Sequence, residues 1–80
     1  MKQLRLYYRL GCHLCEDMQA HLEQLKASQV FHLDRVDVDS DPSVRERYHH
    51  RVPVLEDMSG TMLCEYFLDQ AAVLRYLQGP

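Results

Sequence analysis

The segment from Leu4 to Val38 constrains the fold of this chain more than any other. Leu4 to Tyr8 alternates apolar and polar residues and ends in aromatics, the pattern of a strand. After Arg9-Leu10-Gly11 a helical pattern begins at Cys12. Leu14, Met18, Leu22 and Leu25 recur at three- and four-residue steps and form one apolar stripe. Glu16 and Asp17 fall in the first turn and Lys26 in the last, as the helix dipole favours. Val30 to Val38 reads as a second strand, with Leu33, Val36 and Val38 on its apolar side. Two strands joined by a helix make a βαβ unit, so the strands are expected to be parallel.

The remainder completes a small α/β domain. Asp39-Ser40-Asp41-Pro42 is a helix-start signal, a capping side chain followed by proline at the first helical position. Val44 and Tyr48 share one face of the short helix that follows, and His49-His50-Arg51 reads as a solvated loop. Val52 to Leu55 is a third strand with Pro53 near its start, where proline is tolerated. Met58-Ser59-Gly60 is a turn, and Thr61 to Tyr66 is a fourth strand in hairpin with the third. Asp69 caps a last helix that carries Val73, Leu74 and Leu77 inward and stops at Gly79-Pro80. The order βαβ-α-ββα implies a four-stranded mixed sheet with helices on both faces.

Composition narrows the function classes. A chain of 80 residues is one domain, spanning 1–80, with a small core. Its apolar share of 46% and charged share of 26% are ordinary for a globular protein, which argues against disorder. A net charge of −3 argues against nucleic acid and gives no support to an anionic membrane surface. No segment approaches the ~20 apolar residues of a membrane span. The charges at Lys2, Arg5 and Arg9 interrupt any signal-peptide core, so a cytoplasmic monomer is expected. The three cysteines, Cys12, Cys15 and Cys64, do not read as a secreted disulfide framework, and zinc sites usually show two close-spaced pairs where this chain has one.

Three roles stand open for Cys12 and Cys15: core filling, a metal or iron–sulfur site shared between chains, and redox chemistry. Redox chemistry fits their position best. Functional groups gather at the carboxyl ends of strands in a βαβ unit. There the free N–H groups and dipole of the first helix favour thiolate over thiol. Cys12 would attack, and Cys15, one turn on and closer to the core, would resolve the mixed disulfide. Arg9 and His13 are candidates to tune the thiolate, opposed by Glu16 and Asp17. Val52-Pro53 is a candidate cis peptide, X-Pro being the common route to one. The Val52 amide and carbonyl, left unpaired, could bind an extended peptide or the glutathione backbone. Cys64 reads as a buried strand residue, whereas Tyr8 or Phe67 could border the thiol groove.

Arg5-Leu6-Tyr7-Tyr8-Arg9-Leu10-Gly11-Cys12-His13-Leu14-Cys15 resembles the strand, basic residue, glycine and Cys-x-x-Cys of the glutaredoxin-like branch of the thioredoxin superfamily. Arg9 falls where glutaredoxins often carry lysine, and Arg51-Val52-Pro53-Val54 is similar to their Thr-Val-Pro segment. Asp37-Val38-Asp39-Ser40-Asp41-Pro42 resembles the Asp-x-Asp-x-Asp-Pro stretch of small bacterial glutaredoxin-like proteins with Cys-x-Leu-Cys. The resemblance implies a thioredoxin-like fold and a thiol–disulfide oxidoreductase acting on protein or glutathione disulfides. Cys12 and Cys15 would be catalytic, with Arg9, His13, Val52 and Pro53 facing the substrate or glutathione. It implies no resident cofactor or metal, with glutathione as the co-substrate. The competing reading is a non-catalytic thioredoxin-fold module that docks a partner or joins a metal or iron–sulfur site. His13-Leu14 stands where glutaredoxins usually have Pro-Tyr. Cys64-Glu65-Tyr66-Phe67-Leu68-Asp69 stands where they have a Gly-Gly and an Asp. Asp69 matches as a helix cap, and Glu65 is expected to repel a carboxylate there.

Overall fold

A computed structural model describes residues 1–80. The alternation in β1 (Lys2–Tyr8) sends Leu4 and Leu6 to one face of the sheet and Tyr7 to the other. β1 pairs in parallel with β2 (Phe31–Asp37), from Lys2 opposite Phe31 to Tyr8 opposite Asp37. On its other side it pairs antiparallel with β3 (Val54–Glu56), Tyr7 facing Val54. β4 (Met62–Glu65) closes an antiparallel hairpin on β3. The sheet order is β2-β1-β3-β4, the mixed four-stranded sheet that the βαβ-α-ββα order implies.

Helices cover both faces. α1 (His13–Leu25) and α3 (Gln70–Gln78) lie over one, where Met18, Leu22 and Val73 pack with Leu4, Leu6, Leu55 and Cys64. α2 (Pro42–Tyr48) covers the other, where Tyr48 packs with Tyr7, Val38 and Val54. Their starts follow the local signals. Asp41 accepts from Ser43 N–H with Pro42 as the first helical residue, and Asp69 accepts from Ala72 N–H at 3.1 Å. At the far end of α3, the Lys2 ammonium bonds the Tyr76 carbonyl and, at 2.8 Å, that of Gly79. It thereby meets carbonyls that the helix leaves without partners.

The strand ends differ from the sequence reading. β2 starts at Phe31 and stops at Asp37. The Asp37 carboxylate accepts the Asp39 N–H at 2.9 Å, turning Val38–Ser40 into a 3₁₀ turn that buries Val38 under α2. β3 begins at Val54 rather than Val52, because the Val52–Pro53 peptide is cis and proline has no N–H for the ladder. It extends instead to Glu56, whose carboxylate is buried. Tyr7 donates to one oxygen at 3.0 Å and Tyr48 donates to the other. β4 stops at Glu65 because Tyr66 takes a left-handed backbone, φ 66°. In the connecting turn, the Asp57 carboxylate accepts the N–H groups of Ser59 and Thr61. No helix is long and apolar enough to cross a membrane.

Candidate active site

β1 delivers the chain to the site through a tight loop. Gly11 adopts φ 76°, which favours glycine, and the Cys12 N–H donates to the Arg9 carbonyl at 3.2 Å. Cys12 then stands as the N-cap of α1, just before the helix rather than inside it. Its sulfur accepts the Cys15 N–H at 3.2 Å. The thiol sulfur thus occupies the place of a capping oxygen, at the positive end of a helix of 13 residues. Cys12 and Cys15 are joined as a disulfide with their Cα atoms 5.2 Å apart. They differ in access: Cys12 is half-buried, while Cys15 is buried under the helix. An attacking sulfur outside and a resolving sulfur inside is the arrangement that sequential exchange requires.

Val52 and Pro53 arrive at the same edge. Tyr7 faces Val54 across antiparallel strands, so the chain leaves β1 toward Cys12 where Val52-Pro53 enters β3. Neither the N–H nor the carbonyl of Val52 has a hydrogen-bond partner. His13, the first residue of α1, is exposed at this end. The structure therefore brings Cys12, His13, Cys15, Val52 and Pro53 to one end of the sheet.

Arg9 lies at that end too, but its guanidinium points elsewhere. It grips Asp39 through both oxygens, at 3.0 and 3.2 Å, and donates to the His49 carbonyl at 3.0 Å. No hydrogen bond from Arg9 reaches either sulfur. The pairing holds the Asp39 carboxyl below the usual carboxylate range. It also ties β1 to the loop that carries Val52. Glu65 departs from expectation in a similar way. Arg51 Nε donates to it at 2.7 Å, so its charge is met rather than left to repel a ligand carboxylate.

Cys64 sits in the core, where burial pushes its thiol up. No group of three or more His, Cys, Asp or Glu side chains is placed to hold a metal ion. The sequence reading passed over Tyr66. Its N–H donates to the Pro53 carbonyl at 2.9 Å and its hydroxyl to the His50 carbonyl at 3.1 Å. Tyr66 makes both bonds from a left-handed backbone, and no local motif announces such a turn at a tyrosine.

The model of the glutaredoxin-like domain (DUF836) family matches residues 3–78. Protein Ne2328 from Nitrosomonas europaea, solved by NMR, is 39% identical, with a TM-score of 0.85 over 95% of this chain and 91% of its own. A structural-genomics target protein from X. campestris, solved by X-ray methods, is 31% identical, with a TM-score of 0.68 over 96% of this chain and 99% of its own. Oxidised mitochondrial thioredoxin 3 from Saccharomyces cerevisiae shares the fold at 20% identity, with a TM-score of 0.63 over 96% of this chain and 76% of its own. No curated protein matches the chain.

Proposed function

Since the chain belongs to the glutaredoxin-like domain family, we propose that it is a thiol–disulfide oxidoreductase whose redox couple is Cys12–Cys15. The observation that carries this reading is the half-buried Cys12 sulfur at the α1 N-terminus, bonded to a buried Cys15 one turn on. In the reducing direction, the Cys12 thiolate attacks one sulfur of a protein or glutathione disulfide. The new bond joins Cys12 to that sulfur, and the other substrate sulfur leaves as a thiolate and takes a proton from water. Cys15, deprotonated, then attacks the Cys12 sulfur and expels the second substrate thiolate. Two electrons pass to the substrate and the Cys12–Cys15 disulfide forms. Glutathione or a dithiol reductant restores the dithiol.

The other residues take supporting roles in this reading. The unpaired Val52 amide and carbonyl hold the substrate backbone as a short added strand, and Pro53 sets that segment against the sulfurs. His13 stands beside the thiolate, and Arg9 positions the Val52 loop through the His49 carbonyl. One chain supplies every group, so a monomer suffices. The setting is a reducing cytoplasm, where a dithiol couple can cycle.

The test is intact mass after alkylation trapping, across a series of reduced-to-oxidised glutathione ratios. A reversible, paired loss of two alkylatable thiols at Cys12 and Cys15 is the expected result, with exchange abolished in Cys12→Ser. Two thiols that stay reduced throughout, or full exchange activity in Cys12→Ser, would refute it and leave the docking module as the reading.

A further inference from the structure

We propose that the disulfide this site takes is carried on an extended polypeptide segment with an apolar side chain beside the half-cystine, and that Tyr66 and Phe67 set that preference over glutathione. The inference rests on the oxidoreductase reading above and names its substrate class. Three independent features of the same edge support it.

The first is a fixed backbone rail. The segment from His49 to Pro53 is held at four points. Arg9 donates to the His49 carbonyl at 3.0 Å, and the Tyr66 hydroxyl donates to that of His50 at 3.1 Å. Arg51 pairs with Glu65 at 2.7 Å, and the Tyr66 N–H donates to the Pro53 carbonyl at 2.9 Å. Between these ties, Val52 keeps both backbone polar groups free. A strand that adds there meets a segment already ordered, so little loop entropy is lost on docking.

The second is an apolar shelf beside the rail. Phe67 is 70% exposed and Tyr66 40% exposed, unusual for aromatics in a chain with so small a core. With Leu14, Met18, Leu68, Asp17 and His21 they line a groove of about 180 Å³. Tyr66 joins this groove to the rail through its bond to the Pro53 carbonyl, and Leu14 is the chain neighbour of Cys15. It suits one side chain next to the substrate sulfur.

The third is charge. Glutathione carries two carboxylates and one ammonium, and binding it calls for cations. The guanidiniums that tie down the rail, those of Arg9 and Arg51, are already paired with Asp39 and Glu65. The acids on this end, Glu16, Asp17 and Asp69, enter no ion pair. Arg35 is unpaired, but it lies over Tyr8 and lines, with Cys15 and Glu16, a separate hollow on the β2 side of β1. No lysine or arginine lines the groove, whose ionisable side chains are Asp17 and His21. The groove thus suits a neutral or basic segment and opposes a small anion.

The test uses the full, reduced chain and three thiopyridyl mixed disulfides with a common leaving group. One is made with glutathione. One is made with an end-blocked peptide bearing phenylalanine beside its cysteine, and one with the same peptide bearing aspartate there. Runs at pH 8 keep ordinary imidazoles neutral. Wild type is expected to favour the phenylalanine peptide by about tenfold or more in kcat/KM over both others. Phe67→Ser should bring those ratios to within about threefold of one another, and Tyr66→Phe should raise the peptide KM with kcat unchanged. Equal kcat/KM for all three in wild type, or ratios that neither variant moves, would overturn the proposal while leaving the oxidoreductase reading in place. Release no faster than from Cys12→Ser with every probe would overturn both.

Discussion

Removing the Tyr48 hydroxyl tests the buried network beneath α2. Glu56 is 4% exposed, and its two oxygens are met by Tyr7 and Tyr48. Tyr48→Phe strips one of these donors and leaves a buried carboxylate oxygen unpaired. Hydrogen bonds to charged groups are worth roughly 1.5 to 3 kcal/mol, so a loss near 2 kcal/mol is expected at pH 8. A chain of this length has a total stability of roughly 4 to 12 kcal/mol, so the loss is easily read. The alkaline limb sharpens the test. Burial first, then the hydrogen bond and charge of Glu56, push the Tyr48 phenol from 10.0 to about 12, against the opposing pull of Arg47. The unfolded chain therefore releases this proton first. Stability from the network is complete below pH 10 and falls as pH rises from 10 toward 12. The span corresponds to roughly 2 to 3 kcal/mol. Urea melts of wild type and Tyr48→Phe from pH 8 to 12 should show a midpoint gap of about 2 M that closes toward zero at the alkaline end. Cys64, also raised by burial, titrates in both proteins and cancels in the difference. A gap that stays constant across this range would refute the reasoning.

Other consequences follow from single contacts. Asp69→Ala removes the cap on α3 and should cost about 1 kcal/mol, lowering the melting midpoint by about 5 °C; Asp69→Asn should restore most of it. Arg9→Gln should leave the global midpoint nearly unchanged, since the Asp39 pair is partly exposed, yet speed amide exchange at His49 and Arg51, whose N–H groups bond the Arg45 and Tyr48 carbonyls. In wild type that clamp should hold from neutral pH down through the ordinary carboxylate pKa of about 3.9, because Asp39 stays ionised below it. It is then lost as pH falls through the lowered folded value; loop exchange that already accelerates above that ordinary pKa would contradict this. After reduction, Cys64 should alkylate at least about tenfold more slowly than Cys12 in native protein, with the difference vanishing in denaturant.

The sequence by itself determined the parts of this protein that rest on near neighbours along the chain. The period of α1, the alternation of β1, the caps at Asp41 and Asp69, and the two cysteines at a helix start are all short-range patterns. Backbone sterics and capping act within a few residues, so a sequence carries them openly. The order of elements then left few topologies, because a βαβ crossover is right-handed and its strands parallel. The tertiary structure decided whatever depends on groups distant in sequence. Glu56 lies outside the strand that the sequence predicts, yet Tyr7 and Tyr48, from β1 and α2, meet its two oxygens in the core. Arg9 reads as a cation beside a thiolate until Asp39, 30 residues on, takes its guanidinium. Tyr66 reads as a strand residue until Pro53 and His50 offer it carbonyls. In each case the partner comes from an element distant in sequence, and at Glu56 burial adds the reason, because a buried polar group left unpaired costs more than a local propensity supplies.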